Sequence, residues 1–206
     1  MSLSVYSAFL VACIVIILVP GPTVTLIVAN SIRHGTRAGL ANVAGTQVGL
    51  GIAIAIAIVG VGLTSLIEGM GHWFEWVRLL GAAYLIWIGV QLFRQKGRLS
   101  ADGTARAPHG GFFLQGLLVA LSNPKMLIFF GAFLPQFIDP SGNHAAQIAI
   151  MGVTAMICAA VSDSGYAFAA GRAARALSAS RMRLLSRISG SFLIGGGLWL
   201  AFSRAK

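Results

Sequence analysis

Two short groups of residues carry the chemistry that this chain can offer: Pro20-Gly21-Pro22-Thr23, and Asn123-Pro124-Lys125 at an offset of 102 from Gly21-Pro22 (21 to 123). A proline inside a helix removes a backbone hydrogen bond and clashes with the preceding turn, at a cost of about 3 kcal/mol. A helix that restarts after such a break presents unbonded N–H groups and the positive end of its dipole, which together attract an anion. Gly21 is expected to supply an unusual backbone conformation, with Pro22 opening a new helix from about Thr23. Asn123 is a preferred N-cap, Pro124 suits a first helical turn, and Lys125 adds an ammonium directly after it. Two half-helix starts and one ammonium suit a carboxylate. The alternative for Lys125 is a snorkelling side chain on a kink that serves only packing.

Asp163, in "AAVSDSGYAF", is the only acid well inside an apolar segment, where it must be paired, protonated or hydrated. Four roles stay open for it: holding a ligand's ammonium, carrying a proton, pairing structurally with Lys125, or lying near an interface. Gln47, with Asn30 and Asn42, offers hydrogen bonds to a polar ligand. Gly45-x-x-x-Gly49 has the small-residue spacing of close helix contact and reads first as packing.

The elements that must position these groups are membrane helices. The chain of 206 residues is 57% hydrophobic and 10% charged, with a mean hydropathy of +0.84, too much apolar surface for one soluble domain. Hydropathy gives six candidate spans, at 3–32, 39–66, 74–93, 112–137, 145–170 and 184–203, each at or above the ~20 residues a crossing needs. The connections are too short for a soluble catalytic domain. The span 4 break comes after about 18 Å of rise and the span 1 break after about 25 Å, so both lie within the membrane. Of 15 Lys and Arg residues, eleven follow spans 1, 3 and 5. By the positive-inside rule, loops 33–38, 94–111 and 171–187 are cytoplasmic and both termini lie outside the cytoplasm. That alternation, and the absence of a single basic stripe, argue against nucleic acid as the partner of the +10 net charge. The segment MSLSVYSAFLVAC has no positive n-region and no cleavage signal, and reads as the start of span 1.

The polar linker 95–111 divides a single transmembrane domain, 1–206, into half-repeats 1–94 and 112–206 of three spans each. Gly21-Pro22 pairs with Asn123-Pro124, and "RLLG" (78–81) with "RISG" (187–190). Three spans per half make the topologies opposite, so the expected fold is all-α: six transmembrane helices as two inverted three-helix repeats, with helices 1 and 4 broken. His34, His72, His109 and His144 fall in connections or at span ends, which argues against a metal path. Cys13 and Cys158 lie within spans as packing residues, not beside the breaks as a thiol redox carrier needs. No nucleophile–base motif supports an enzyme, and no cofactor is expected. Glycine-rich faces are compatible with a homodimer.

The stretches "PGPTVTLIVANSIRHGTRAGLANVAGTQVG" (20–49), "LLGAAYLIWIGVQLF" (79–93) and "LSNPKMLIFFGAFLPQF" (121–137) resemble the lysine-exporter family of translocators, the LysE/RhtB group, over essentially the whole chain. The resemblance implies six spans in the bacterial inner membrane and efflux of amino acids or their derivatives, driven by the proton-motive force. It places the family's first-helix signature on Pro20, Gly21 and Pro22, and the fourth-helix signature on Asn123, Pro124 and Lys125. Span 5 keeps only a loose family pattern, so Asp163 rests on the physical argument. The competing expectation is an efflux carrier for another small solute or a metal ion on the same architecture.

Overall fold

The computed structural model describes residues 1–62, 71–94, 108, 110–174 and 179–202. Among them there is no strand. Helices α1 (Leu3–Leu18) and α2 (Pro22–His34) meet at a 48° bend. They are followed by α3 (Thr36–Gly62) and α4 (Gly71–Arg94). After the linker come α5 (Gly111–Leu121) and α6 (Pro124–Ile128), a π-helical turn Phe129–Phe133 and a 3-10 turn Leu134–Phe137. Two long helices close the chain, α7 (His144–Ala173) and α8 (Ala179–Phe202). The linker residues 95–107 and 109, with His109, lie outside the described residues, as do residues 63–70, 175–178 and 203–206.

Thr36–Val59 of α3 and His144–Ala173 of α7 are each long and apolar enough to cross a membrane, and the bent pair α1 and α2 makes a third candidate. The apolar stretches Leu79–Phe93, Gly111–Leu121 and Arg187–Phe202 are shorter. Large apolar side chains point outward along the helices, among them Val11, Ile56, Leu80, Val161 and Phe202. Such a surface suits lipid and not water.

The core is organised around α2, where nine side chains from Pro22 to Ile32 are buried. Leu26 and Ala29 join Leu85 and Leu92 of α4, Val119 of α5, and Leu193 of α8. On another face, Ile27 meets Val43 of α3 and Ala167 of α7. A second cluster joins Phe9 and Cys13 of α1 to Phe129, Leu134 and Met151, with Phe9 ringed by Phe129, Phe133 and Phe137 at 5.4–6.3 Å between centroids. Most of α2 from Pro22 onward is enclosed by protein, which suits the irregular backbone at its entry, because non-helical backbone at membrane depth survives only beside protein or a wet cavity.

Small residues set the closest helix contacts. A Cβ on Gly45 would strike the Phe113 carbonyl, and one on Gly116 the Asn42 backbone, so α3 and α5 touch main chain to main chain. Across α4 and α8, Cβ atoms on Gly89 and Gly190 would each lie 2.8 Å from the other's carbonyl oxygen. The Gly45 and Gly49 spacing thus serves packing within the chain. A buried amide relay ties the same region together: Asn30 Nδ2 donates to Asn42 Oδ1 at 2.7 Å and to Gln115 Oε1 at 2.9 Å, and Asn42 Nδ2 donates to the Phe112 carbonyl at 2.6 Å.

The α2–α3 connection, the start of α5 and the end of α7 meet at one end of the molecule. His34 packs against Phe112 with ring centroids 4.9 Å apart and the rings tilted by 52°, bringing the α2–α3 connection to the start of α5. A Cβ on Gly171 would strike Thr36, bringing the end of α7 to the start of α3. At the other end, Tyr6 bonds Thr154 at 2.9 Å and the Met1 amino group lies 3.8 Å from the Asp139 carboxylate.

Candidate functional site

Why the first helix stops is legible locally. Pro22 has no N–H and cannot continue a ladder, so α1 ends at Leu18 with Val19 as its C-cap (φ −69°, ψ 118°), and α2 starts at Pro22 with Gly21 as N-cap. Gly21 is extended (φ −120°, ψ −169°), a conformation open to any residue. The unusual backbone expected there is absent, because the turn is made by the bend of the pair and not by one strained residue. Gly21 instead sits beside a neighbour: a Cβ there would lie 3.4 Å from Lys125 Cδ.

The last carbonyls of an α-helix have no partner inside the helix. Here they are taken by side chains from the second half of the chain. Lys125 Nζ donates to the Val19 carbonyl at 2.6 Å and to the Ile17 carbonyl at 3.4 Å. Tyr166 donates its hydroxyl to the Leu18 carbonyl at 3.1 Å. Three successive carbonyls, at the negative end of the α1 dipole, thus hold one ammonium and one phenol.

The second break is built by capping. Asn123 Oδ1 accepts the Lys125 N–H at 3.0 Å, and the Asn123 carbonyl accepts the Met126 N–H at 3.0 Å. Those bonds use the amides expected to be free, and α6 runs for only 5 residues before the backbone turns π-helical and then 3-10. The start of α6 is therefore closed by its own cap. The start of α2 is not, since Gly21 has no side chain to cap the amides of Thr23 and Val24. Of the two half-helix starts expected to offer N–H groups, α2 keeps them. Asn123 Nδ2 donates to Thr23 Oγ1 at 3.4 Å, linking the two breaks directly.

The structure therefore brings Gly21, Pro22, Thr23, Asn123, Pro124 and Lys125 into one locus, with Pro20 exposed at the bend. Asp163, 4% exposed on α7, interacts electrostatically with Lys125. The two make no direct ion pair; among the described residues that contact belongs to Met1 and Asp139. Gln47 is engaged elsewhere. With its amide turned so that donor meets acceptor, it donates to the Met156 carbonyl and accepts from the Ala160 N–H, each at 3.2 Å, bonding α3 to the α7 backbone. A cavity of about 330 Å³ opens beside Lys125, lined by Ile16, Ile128, Phe129, Phe133 and Trp199 together with Pro124. Tyr166 and the carbonyls of residues 17–19 did not emerge from the sequence. Tyr166 had one signal, its place three residues after Asp163 on the same helix face.

Fold and site together define a helical, lipid-facing protein whose centre is a pair of interrupted helices joined by polar contacts. Residues 14–204 match the model of the LysE type translocator family, and the chain belongs to that family. It is 37% identical, over 96% of both chains, to a homoserine/homoserine lactone efflux protein of Salmonella typhimurium. It is 34% identical to a leucine efflux protein of Salmonella choleraesuis, over 68% of this chain and 66% of that one. An uncharacterized membrane protein of Vibrio cholerae is 32% identical over the full length of both. No solved structure matches the chain.

Proposed function

We propose that this chain is a secondary active exporter of amino acids or amino-acid derivatives in the bacterial inner membrane, driven by the proton-motive force. The translocator family and the efflux proteins among its relatives support the class of activity. The observation that carries the reading is the contact between the two breaks, Asn123 to Thr23, with Lys125 lying over both. It gives a small zwitterion one place where oriented amides, oriented carbonyls and an ammonium converge.

In this reading Pro20, Gly21 and Pro22 shape the bend, and Thr23 and Lys125 meet the carboxylate. Asn123 and Pro124 fix the backbone from which Lys125 projects. Gln47 holds α3 against α7, and its place in the substrate path is through that packing. Asp163 is the proton carrier, or the partner of a substrate ammonium. The fold is read as six spans in two inverted repeats, a reading supported by the matching breaks and by the reciprocal Gly89 and Gly190 contact of α4 with α8. The basic connections are assigned to the cytoplasm and the termini to the outside. A homodimer is compatible with the outward apolar faces. The competing reading is an efflux carrier for a metal ion or another small solute, to which the amino-acid efflux proteins among the relatives lend no support.

The test is uptake into everted membrane vesicles across a broad amino-acid panel, with and without a proton gradient. Gradient-dependent uptake of at least one amino acid is expected, with Lys125→Ala and Asp163→Asn each lowering it about tenfold or more while the protein still inserts, since each removes a charge that this reading assigns to substrate or proton. No gradient-dependent uptake of any amino acid would overturn the exporter reading.

A further inference from the structure

We propose that the carbonyl end of α1, at Ile17 and Val19, is the receptor for the primary ammonium of the transported solute, and that Lys125 occupies it as a tethered competitor when no solute is bound. The inference deepens the exporter reading and rests on it for the identity of the solute.

The geometry has three parts. First, the receptor is built from main-chain oxygens that α1 cannot use, and at membrane depth they need a donor. Second, the donor they hold is a primary ammonium, Lys125 Nζ, at 2.6 Å from Val19 O and 3.4 Å from Ile17 O. The carbonyl between them, Leu18 O, is occupied by Tyr166, which makes Tyr166 a positioning residue that fixes the frame from α7. Third, the uncapped amides of Thr23 and Val24 begin only a few residues further on, with the Lys125 stem lying over Gly21 between the two ends. One break thus presents oriented oxygens on one side and oriented N–H groups on the other, complementary to the two charges of an amino acid.

When an amino acid arrives, its ammonium takes the place of Nζ at the carbonyls, and its carboxylate lies at the α2 amides, where the released Lys125 ammonium can pair with it. No bond is made or broken; one ammonium replaces another, and the Lys125 charge gains a carboxylate. Asp163 is then left free of the substrate ammonium and available for the proton. The cavity beside Lys125 is walled by Ile16, Phe129, Phe133 and Trp199, so an apolar side chain is the one it accommodates, and leucine is the probe of choice.

The experiment measures binding, not transport, by titrating the full-length protein in lipid nanodiscs with leucine, leucine methyl ester and N-acetyl-leucine. In the unmodified protein N-acetyl-leucine, which has no ammonium, is expected to bind about tenfold or more weakly than leucine. The ester carries the ammonium but no carboxylate, so it must displace Lys125 without offering the released charge a partner. Lys125→Met removes the competitor, and the ester is expected to bind that variant about tenfold more tightly while leucine does not. Equal binding of leucine and N-acetyl-leucine, or an ester affinity unchanged or lowered in Lys125→Met, would overturn the receptor. So would a failure of both leucine and its ester to bind. Should Lys125→Met not insert, the comparison of leucine with N-acetyl-leucine in the unmodified protein decides alone. Ammonium-dependent binding without gradient-driven uptake would instead overturn the exporter reading and leave the receptor standing.

Discussion

Asn123 performs two tasks with one amide: its oxygen caps Lys125 N–H at 3.0 Å and its nitrogen reaches Thr23 at 3.4 Å. Asn123→Ala removes both, and a lost N-cap is expected to lower the unfolding free energy in detergent by about 1 kcal/mol. Asn123→Asp keeps the accepting oxygen and is expected to restore most of that loss; equal destabilisation by both variants would show that the cap is not the stabilising element. Tyr166→Phe strips the Leu18 carbonyl of its donor and should cost about 0.5–1.5 kcal/mol by the same measurement, the net worth of one ordinary hydrogen bond. Outside the spans, Asp139 is held below the usual carboxylate range, chiefly by the Ser141 hydroxyl that donates to it at 2.7 Å and then by the Ser141 N–H. A carboxyl depressed by folding stabilises above its unfolded pKa, about 3.9, and loses that stabilisation as pH falls through the folded value. The melting difference between the unmodified protein and Asp139→Asn should therefore be present at neutral pH and vanish only in strong acid. The Asn-Pro-Lys site was legible in the sequence because capping is local chemistry written in residue types. The carbonyl receptor was not, because every residue has a carbonyl, and only the three-dimensional path of α1 shows which three are left open.

At the scale of elements, the breaks are tolerated because α2 is enclosed, and the enclosure depends on main-chain contact between α3 and α5. Gly116→Leu would drive a side chain into the Asn42 backbone, where no flexible end can move aside. Overpacking of this kind costs about 1–3 kcal/mol or more. The folded fraction in detergent, read by size-exclusion chromatography, should fall sharply. Gly195→Ala on α8 is the matched control, since a Cβ there meets nothing within 4 Å and the fold should be unaffected. A Gly116→Leu protein as well folded as the control would mean that α3 and α5 do not need this approach. Long helices were well marked in the sequence: the expected spans 39–66 and 145–170 correspond to α3 and α7 within a few residues at each end. Span 4 was marked less well. It was expected to resume as a half-helix after Pro124, but regular α structure lasts only to Ile128. Pro135 withholds the N–H that would have bonded the Gly131 carbonyl, and the packing of Phe129, Phe133 and Phe137 around Phe9 fixes the π and 3-10 turns that replace it. That aromatic contact joins residues more than a hundred positions apart, which no local pattern encodes.

At the scale of the whole molecule, the distribution of charge and the packing of the ends bear on one another. Arg33 and Arg37 flank the α2–α3 connection, and Arg172 lies at the end of α7; the contacts of His34 with Phe112 and of Gly171 with Thr36 put these segments at the same end. The loop 138–143, closed by reciprocal bonds between Gln147 and the Asp139 backbone at 2.9 and 3.0 Å, belongs to the opposite end. If the basic end faces the cytoplasm, as we propose from the arginines there, the two ends differ in their access from outside the cell. Cys13 and Cys158 are both free thiols within helices, and replacing each with Ala gives a background for labelling. In that background Arg37→Cys and Ser141→Cys place a thiol at each end, at positions exposed on the surface. A membrane-impermeant maleimide applied to intact spheroplasts should label Ser141→Cys and spare Arg37→Cys, and the preference should reverse in everted vesicles. Labelling of both from one side would break the antiparallel arrangement, and the opposite preference would invert the protein in the membrane. The expected result would put the uncapped start of α2 and its carbonyl-bound lysine between two aqueous faces, where an alternating-access carrier must hold its cargo.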